Sequence, residues 1–394
     1  MKGKPLRLPG GMDLSENLYK LTLPVEMIII FTLFQFLTGG TFLSARNMSN
    51  LLMQGATCSI IAITMMLVIV TCNADLSAGV ALGFMGTLAA YLQVHLKVNT
   101  PLTILIVLGV GVLIGLWHGY WIAYKKLPAF IVTYASQLLF KGGILLITAG
   151  ASIGPVSESF AILGKSYVPN IIWQQEEFND TSLILTLAVI VFYAALTVAG
   201  ERKKSRAGLK EPNWGRTAGK IVLVALCILV VASFMIFYNG FSYAILILAV
   251  LGIIFSYVVN NTTFGRYVFA IGGNSEAARL SGINNERTVL LIYVLHSMVV
   301  AVAAIVFLGR VGQATASAGT GFEFTAITGC VVGGTSILGG RGNVLGAVIG
   351  TMLMASLDNG MSLLNLGATY QYIIKGLVLM LAIAMDVMMT KRKK

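Results

Sequence analysis

The sequence predicts an all-α polytopic membrane protein of about ten transmembrane helices, some short or broken, with both termini in the cytoplasm. Three observations carry this. Of 394 residues, 57% are hydrophobic and only 11% are charged, where a soluble domain carries roughly 25% charged residues. That much apolar surface cannot be hidden inside one water-exposed globule, which excludes a cytosolic enzyme and a secreted disulfide domain. The apolar residues gather in runs on the scale of a helical bilayer crossing, about 20 residues. The basic residues gather in alternate loops between those runs, as the positive-inside rule requires of a cytoplasmic side.

The elements follow in chain order. Residues 1–23 are polar and basic, and they read as a cytoplasmic tail with no cleavable signal peptide. Apolar runs occupy 24–38, 55–72, 76–92, 102–124, 129–149, 183–200, 219–238, 243–260, 288–308, 325–338, 343–357 and 370–389. Together they form one transmembrane domain, 24–389, followed by a basic tail, 390–394. The runs 24–38, 325–338 and 343–357 are shorter than a full crossing. They predict tilted, re-entrant or broken helices, which a membrane tolerates where protein buries them. Ten and twelve crossings both fit, and both are even.

An up-and-down path sends Lys2, Lys4, Arg7, Lys20, Lys125, Lys126, Arg341, the loop 201–220, the loop 261–287 and the C-terminal tail to one side. That side is then cytoplasmic. The net charge of +12 thus marks topology and predicts no nucleic-acid partner. The outer loop 150–182 is acidic, through Glu158, Glu176, Glu177 and Asp180. The loop 201–220 reads as a basic linker beside lipid headgroups.

Chemistry-bearing motifs are sparse. No phosphate-binding glycine loop, zinc-binding H-E-x-x-H or Cys/His cluster occurs. The chain is therefore expected to bind no metal or cofactor and to be no enzyme. Cys58, Cys72, Cys227 and Cys330 lie in apolar runs and read as small core residues. His118 and His296 lie within apolar runs and read as packing histidines. Ionisable residues within the runs are Glu26, Asp75, Lys141, Asp358, Lys375 and Asp386. Each needs a partner or a watered site; Lys141 and Lys375 have stems long enough to snorkel. This scarcity weakens an ion-coupled carrier, which needs charged pairs at midplane. The segment Asn73, Ala74, Asp75, Leu76 and Ser77 interrupts two runs. It fits either a capped break between helices or a broken helix lining a translocation path. Glycines recur every fourth residue at Gly111, Gly115 and Gly119 and again at Gly342, Gly346 and Gly350, a pattern that lets helices approach closely.

The loop 261–287 is longer than a crossing requires. Within it Glu276, Ala277, Ala278, Arg279 and Leu280 form helix, with Ser275 placed as N-cap and Gly282 as the stop. Such a helix lies along the membrane surface, either as a plain connector or as a coupling helix that docks on a cytoplasmic ATPase.

This segment resembles the cytoplasmic loop of ABC-importer permeases. Six further strings are similar to monosaccharide permeases of the ribose, xylose and galactoside type: 42–47, 74–79, 128–133, 264–274, 333–342 and 357–362. The resemblance covers about 24–389 and is nearest the xylose or multiple-sugar branch. It implies a fold like that of vitamin B12 importers in a bacterial inner membrane. It implies a homodimer with a second permease copy, an ABC ATPase that holds the ATP, and an extracytoplasmic sugar-binding protein. On this footing Glu276, Ala277, Ala278, Arg279 and Gly282 couple to the ATPase. Asn73, Asp75, Ser77, Asp358 and Asn359 are the candidates for the translocation path. Lys141 stands where the family often has arginine. The competing expectation is a secondary sugar carrier that works without an ATPase.

Overall fold

The computed structural model describes residues 14–173, 178–208 and 213–393, without the side chains of 14–22 and 389–393. Residues 1–13 of the expected N-terminal tail, Glu176, Glu177, Lys210 and Lys394 lie outside the described residues, whereas 14–23 of that tail are helical and begin α1.

Fifteen α-helices are described. They are α1 (Leu14–Leu37), α2 (Ala45–Val70), α3 (Ala78–Val94), α4 (Thr100–Gly119), α5 (Ala129–Thr148), α6 (Glu158–Lys165), α7 (Asp180–Arg206) and α8 (Trp214–Ile236). They continue with α9 (Tyr243–Asn261), α10 (Thr263–Gly273), α11 (Ser275–Leu280), α12 (Asn285–Val311), α13 (Phe322–Val332), α14 (Val344–Leu363) and α15 (Ala368–Lys393). A π-helical turn, Tyr120–Tyr124, extends α4. Each of the twelve apolar runs is helical. Nine helices among the described residues are long and apolar enough to cross a membrane, and three apolar stretches are shorter: Leu23–Leu37, Ala78–Val94 and Phe322–Val332.

Two of the short runs need correction. The run at 343–357 continues through Asp358 and Asn359 to Leu363 and makes a full 20-residue helix. Two polar residues ended the run on paper, but a helix needs only internal backbone bonding to go on. The run at 325–338 stops as helix at Val332. At about 1.5 Å per residue, the 11 residues of α13 reach about 16 Å, half of a hydrocarbon core.

The chain forms two compact units. The larger comprises 1–42, 51–165 and 244–394. Its centre is α12, which packs on α4, α3 and α6. Burial sorts the helices: 89% of the apolar window of α2 is buried, against 6% for α15. The first is therefore an inner helix and the second is peripheral within this chain. The close approach of α4 to α12 explains the glycine spacing. A Cβ on Gly115 would meet the Val294 backbone and stand 2.6 Å from the Tyr293 carbonyl, and one on Gly111 would stand 2.8 Å from the Ser297 carbonyl. The second glycine series does the same within the chain, as Gly346 and Gly350 lie against Gly333 and Gly329 of the α13 segment.

The smaller unit comprises 43–50 and 166–243 and is built on the α7–α8 pair. Here the reading of an acidic outer loop needs revision. Asp180 is 2% exposed and accepts backbone N–H bonds from Ile171 (3.1 Å), Trp173 (2.9 Å) and Ile172. It shapes the turn before α7 and presents no charge to solvent. The loop also holds a helix, α6, in the larger unit. The cysteines divide as well: Cys58 and Cys330 are buried, whereas Cys72 and Cys227 are exposed.

The glycine contacts give a paired test. Gly115→Val drives a side chain into a facing helix backbone and should cost at least about 2 kcal/mol. Nothing lies within 4 Å of a Cβ on Gly142, so Gly142→Val should change stability far less. Thermal unfolding in detergent reads both, and equal losses would contradict the packing account.

Candidate functional site

Two sets of residues carry chemistry, and the first is the α10–α11 loop. The Asn274 side chain accepts the N–H groups of Glu276 (3.1 Å) and Ala277 (3.0 Å). Asn274 is therefore the N-cap, and Ser275, placed there from the sequence, is the first helical residue. Asparagine and serine cap about equally well, so residue type alone could not separate the two. At the other end Gly282 has φ +86°, the left-handed conformation that favours glycine. Its N–H bonds to Arg279 O (3.0 Å), and Ile283 N–H bonds to Ala278 O (3.1 Å), which closes the helix as a Schellman motif.

The helix so fixed presents Glu276, Ala277, Arg279 and Leu280 outward. Glu276 and Arg279 form a two-pronged ion pair, 2.6 Å at its shorter contact. The guanidinium holds the Glu276 carboxyl below the usual carboxylate range, so the pair stays charged throughout the neutral range. Ala278 is 4% exposed and points inward, an anchor and not part of the outer face. Leu280 is 75% exposed and was not among the sequence candidates. Its signal was a large apolar residue ending an otherwise small and polar helix.

The loop is held from below. Asn285 donates to Ser275 O (2.8 Å), and Lys126 pairs with Glu286 (2.6 Å). In α10, Gly272 lies against the Val70 carbonyl at the end of α2. Gly340 of the loop 333–342 donates to that same carbonyl (2.9 Å). Asp386 of α15 in turn accepts from Ser336 Oγ (3.0 Å) and Ile337 N–H (3.0 Å), with Arg341 at 3.7 Å. A chain of contacts thus runs from α10, which leads into α11, to the ends of α2 and α15.

The second set lies among the apolar helices. The chain leaves α2 at Val70 and resumes helix at Ala78, so residues 71–77 form a true break. Asp75 Oδ1 accepts from Ser77 N–H (2.7 Å) and Ser77 Oγ (2.6 Å). Asp75 is the capping acceptor, while the Ser77 side chain donates and makes no cap bond of its own. Thr133 of α5 accepts the Leu76 N–H (3.1 Å). Asn73 bonds locally, to Thr71. Asp75 Oδ2 faces His296 Nε2 at 3.4 Å and His118 Nδ1 at 3.7 Å, and Thr64 Oγ1 lies 3.0 Å from His296 Nδ1. All three ionisable residues are within 2% of complete burial. The histidines thus meet around a carboxylate, a convergence that their separation in sequence conceals. Glu323, also buried, accepts Gly321 N–H (3.3 Å) at the start of α13. It too was missed, because it stands just outside the apolar run.

Asp358 and Asn359 belong to α14 and do not join the Asp75 group. Asp358 pairs with Lys375 of α15 at 2.8 Å, so Lys375 has a partner and does not rely on snorkelling. Asp386 likewise has a basic neighbour, Arg341. Among the described residues no cluster of three or more His, Cys, Asp or Glu is arranged to hold a metal.

Comparison with known proteins places this geometry. A family model described as branched-chain amino acid transport system / permease component matches residues 47–383. The chain is 40% identical over 379 residues to the xylose transport system permease protein XylH of Escherichia coli K12, covering 96% of this chain and 94% of that one. It is 37% identical over 380 residues to XylH of Haemophilus influenzae, covering 96% and 98%. The ribose import permease protein RbsC of Escherichia coli K12 is 29% identical over 348 residues, covering 88% and 87%. No solved structure matches the chain significantly.

The buried carboxylate yields a stability prediction. Asp75→Ala removes the acceptor for Ser77 and leaves two buried imidazoles facing an apolar group, which should cost about 3–5 kcal/mol. Asp75→Asn keeps an acceptor oxygen for Ser77 and should cost clearly less. Unfolding of the detergent-solubilised variants orders the two, and the reverse order would contradict the capping role.

Proposed function

From the premise that the chain belongs to this family of transport-system permease components, we propose that it is the membrane subunit of an ATP-driven importer of xylose or a related monosaccharide. The observation that carries the sugar is the identity of 40% to XylH across nearly both full lengths, against 29% for RbsC and 30% for the galactose/methyl galactoside import permease protein MglC. An extracytoplasmic binding protein delivers the sugar, and a separate ATPase subunit binds and hydrolyses ATP. Two permease copies enclose the path in a bacterial inner membrane, with both termini cytoplasmic.

The α11 helix supports the coupling role. It is short, doubly capped and rigid, so a push on its exposed face is not lost in bending. Its anchors pass that push to α2, α12 and α15. Leu280, Glu276 and Arg279 supply what a docking helix needs: one apolar knob and charges that set orientation.

Mutation tests this. Leu280→Asp changes only an exposed side chain, so insertion and thermal stability should be retained. Uptake of D-xylose and sugar-stimulated ATPase activity should fall more than tenfold, the scale of losing one interface anchor. Gly282→Arg, which also strains the helix stop, should abolish both while the protein still inserts. Normal uptake by both variants would remove α11 from the coupling pathway.

A further inference from the structure

Outside the Asp75 group, a cavity of about 410 Å³ lies among α2, α13, α14 and α15, with polar side chains set in a mainly apolar wall. Small-ligand sites fall in the range of about 300–1,000 Å³. We propose that this cavity is a monosaccharide station on the translocation path, with Asp358 and Lys375 as its hydrogen-bonding wall; this rests on the import function proposed above.

The lining sets an ion pair and two hydroxyls within a larger apolar surface, a mixture that suits the polar edge and apolar face of a sugar ring. Asp358 and Lys375 form an ion pair on the wall. Asp358 Oδ2 takes the lysine, while its Oδ1 has no hydrogen-bond partner among the described residues although it is shielded from solvent. That oxygen is closed off from the cavity as well as from solvent, so the surface a sugar hydroxyl meets is the partly exposed remainder of the pair, 31% of the Asp358 side chain and 29% of the Lys375 side chain. Lys375 brings further N–H donors for the sugar oxygens. Thr325 and Thr328 stand one turn apart on α13 and also line the cavity. Each donates its own hydroxyl to the preceding turn, to Gly321 O and Phe324 O, and so keeps lone pairs to offer. Phe324 and Tyr372 supply aromatic surface on the same lining, suited to the C–H face of a sugar ring. A lipid chain would meet the same aromatics but would leave the ion pair and both hydroxyls facing hydrocarbon. Ionisable residues inside a membrane are rare and commonly mark substrate or ion paths.

The mouth of a half-helix gives the station its place in depth. α13 begins at Gly321 and Phe322, both on the lining, after an irregular segment, 312–321. It is about half a bilayer long, and Gly319 and Glu323 at its start lie against Gly79 in the first turn of α3, beside the 71–77 break. Irregular backbone at membrane depth survives where it is buried or lines a cavity.

The test uses the complete importer, with its co-purified ATPase and binding protein, in proteoliposomes supplied with ATP and radiolabelled D-xylose. Uptake by the unaltered complex checks the import function first, and its absence would refute that reading independently of the station. Given uptake, three variants are compared: Asp358→Asn, the cavity-filling Thr328→Trp, and the double exchange Asp358→Lys with Lys375→Asp. Assembly with the ATPase and ATP-hydrolysis rate without sugar report folding. The expected result is uptake reduced at least tenfold in all three, with assembly and basal hydrolysis retained. The double exchange restores the ion pair but reverses donor and acceptor, so it rescues a structural role and not a sugar contact. Full uptake by the double exchange would overturn the proposal, as would normal uptake by Asp358→Asn and Thr328→Trp. Normal uptake with a tightly bound lipid found by mass spectrometry would assign the cavity to that lipid. If Thr328→Trp fails to assemble, Asp358→Asn and the double exchange decide alone.

Discussion

Inside a lipid bilayer every backbone N–H and C=O must find its partner within the protein, and the fold turns on how this chain meets that demand where its helices break. At each of three breaks among the described residues, one buried carboxylate does the work. Asp75 takes the Ser77 groups between α2 and α3, Glu323 takes Gly321 N–H at the start of α13, and Asp386 takes Ser336 and Ile337 in the loop after α13. A carboxylate can accept several bonds at once, which suits it to a stretch of backbone that has left the helix. Its cost is a charge at depth, offset by the neighbours that gather round: two histidines at Asp75 and Arg341 at Asp386.

These breaks adjoin the two features on which the proposed import function rests. The break at 71–77 and the loop 333–342 meet the α10 end of the coupling loop through Val70, Gly272 and Gly340. The break before α13 opens on the polar cavity. Irregular backbone is softer than helix, so the points at which the chain can hinge lie next to the α10–α11 loop and next to the cavity among α2, α13, α14 and α15.

Much of this was legible in the sequence. Hydropathy fixed the number and order of apolar helices, because burial in lipid acts on composition over 20 residues at a time. Four-residue glycine spacing exposed the tight packing of α4, because a helix repeats its face at that interval. The short helix of the coupling loop and its glycine stop were also visible, since capping is local. What escaped was whatever depends on two distant segments meeting. His118 and His296 looked like separate packing residues, and Lys375 looked like a snorkelling chain, because nothing local announces a partner across the fold. Asp358 was set outside a helix by its polarity, whereas its ion pair lets it stay within one. Asp180 was counted as surface charge although the turn before α7 closes over it.

The most direct measurement is D-xylose uptake by the purified complex in sealed proteoliposomes, with ATP inside or outside and with ionophores added or withheld. The account predicts uptake that requires ATP on the side of the ATPase and that is unchanged when ionophores collapse every ion gradient. Uptake that proceeds without ATP and stops on adding ionophore would contradict it and make the chain an ion-coupled carrier.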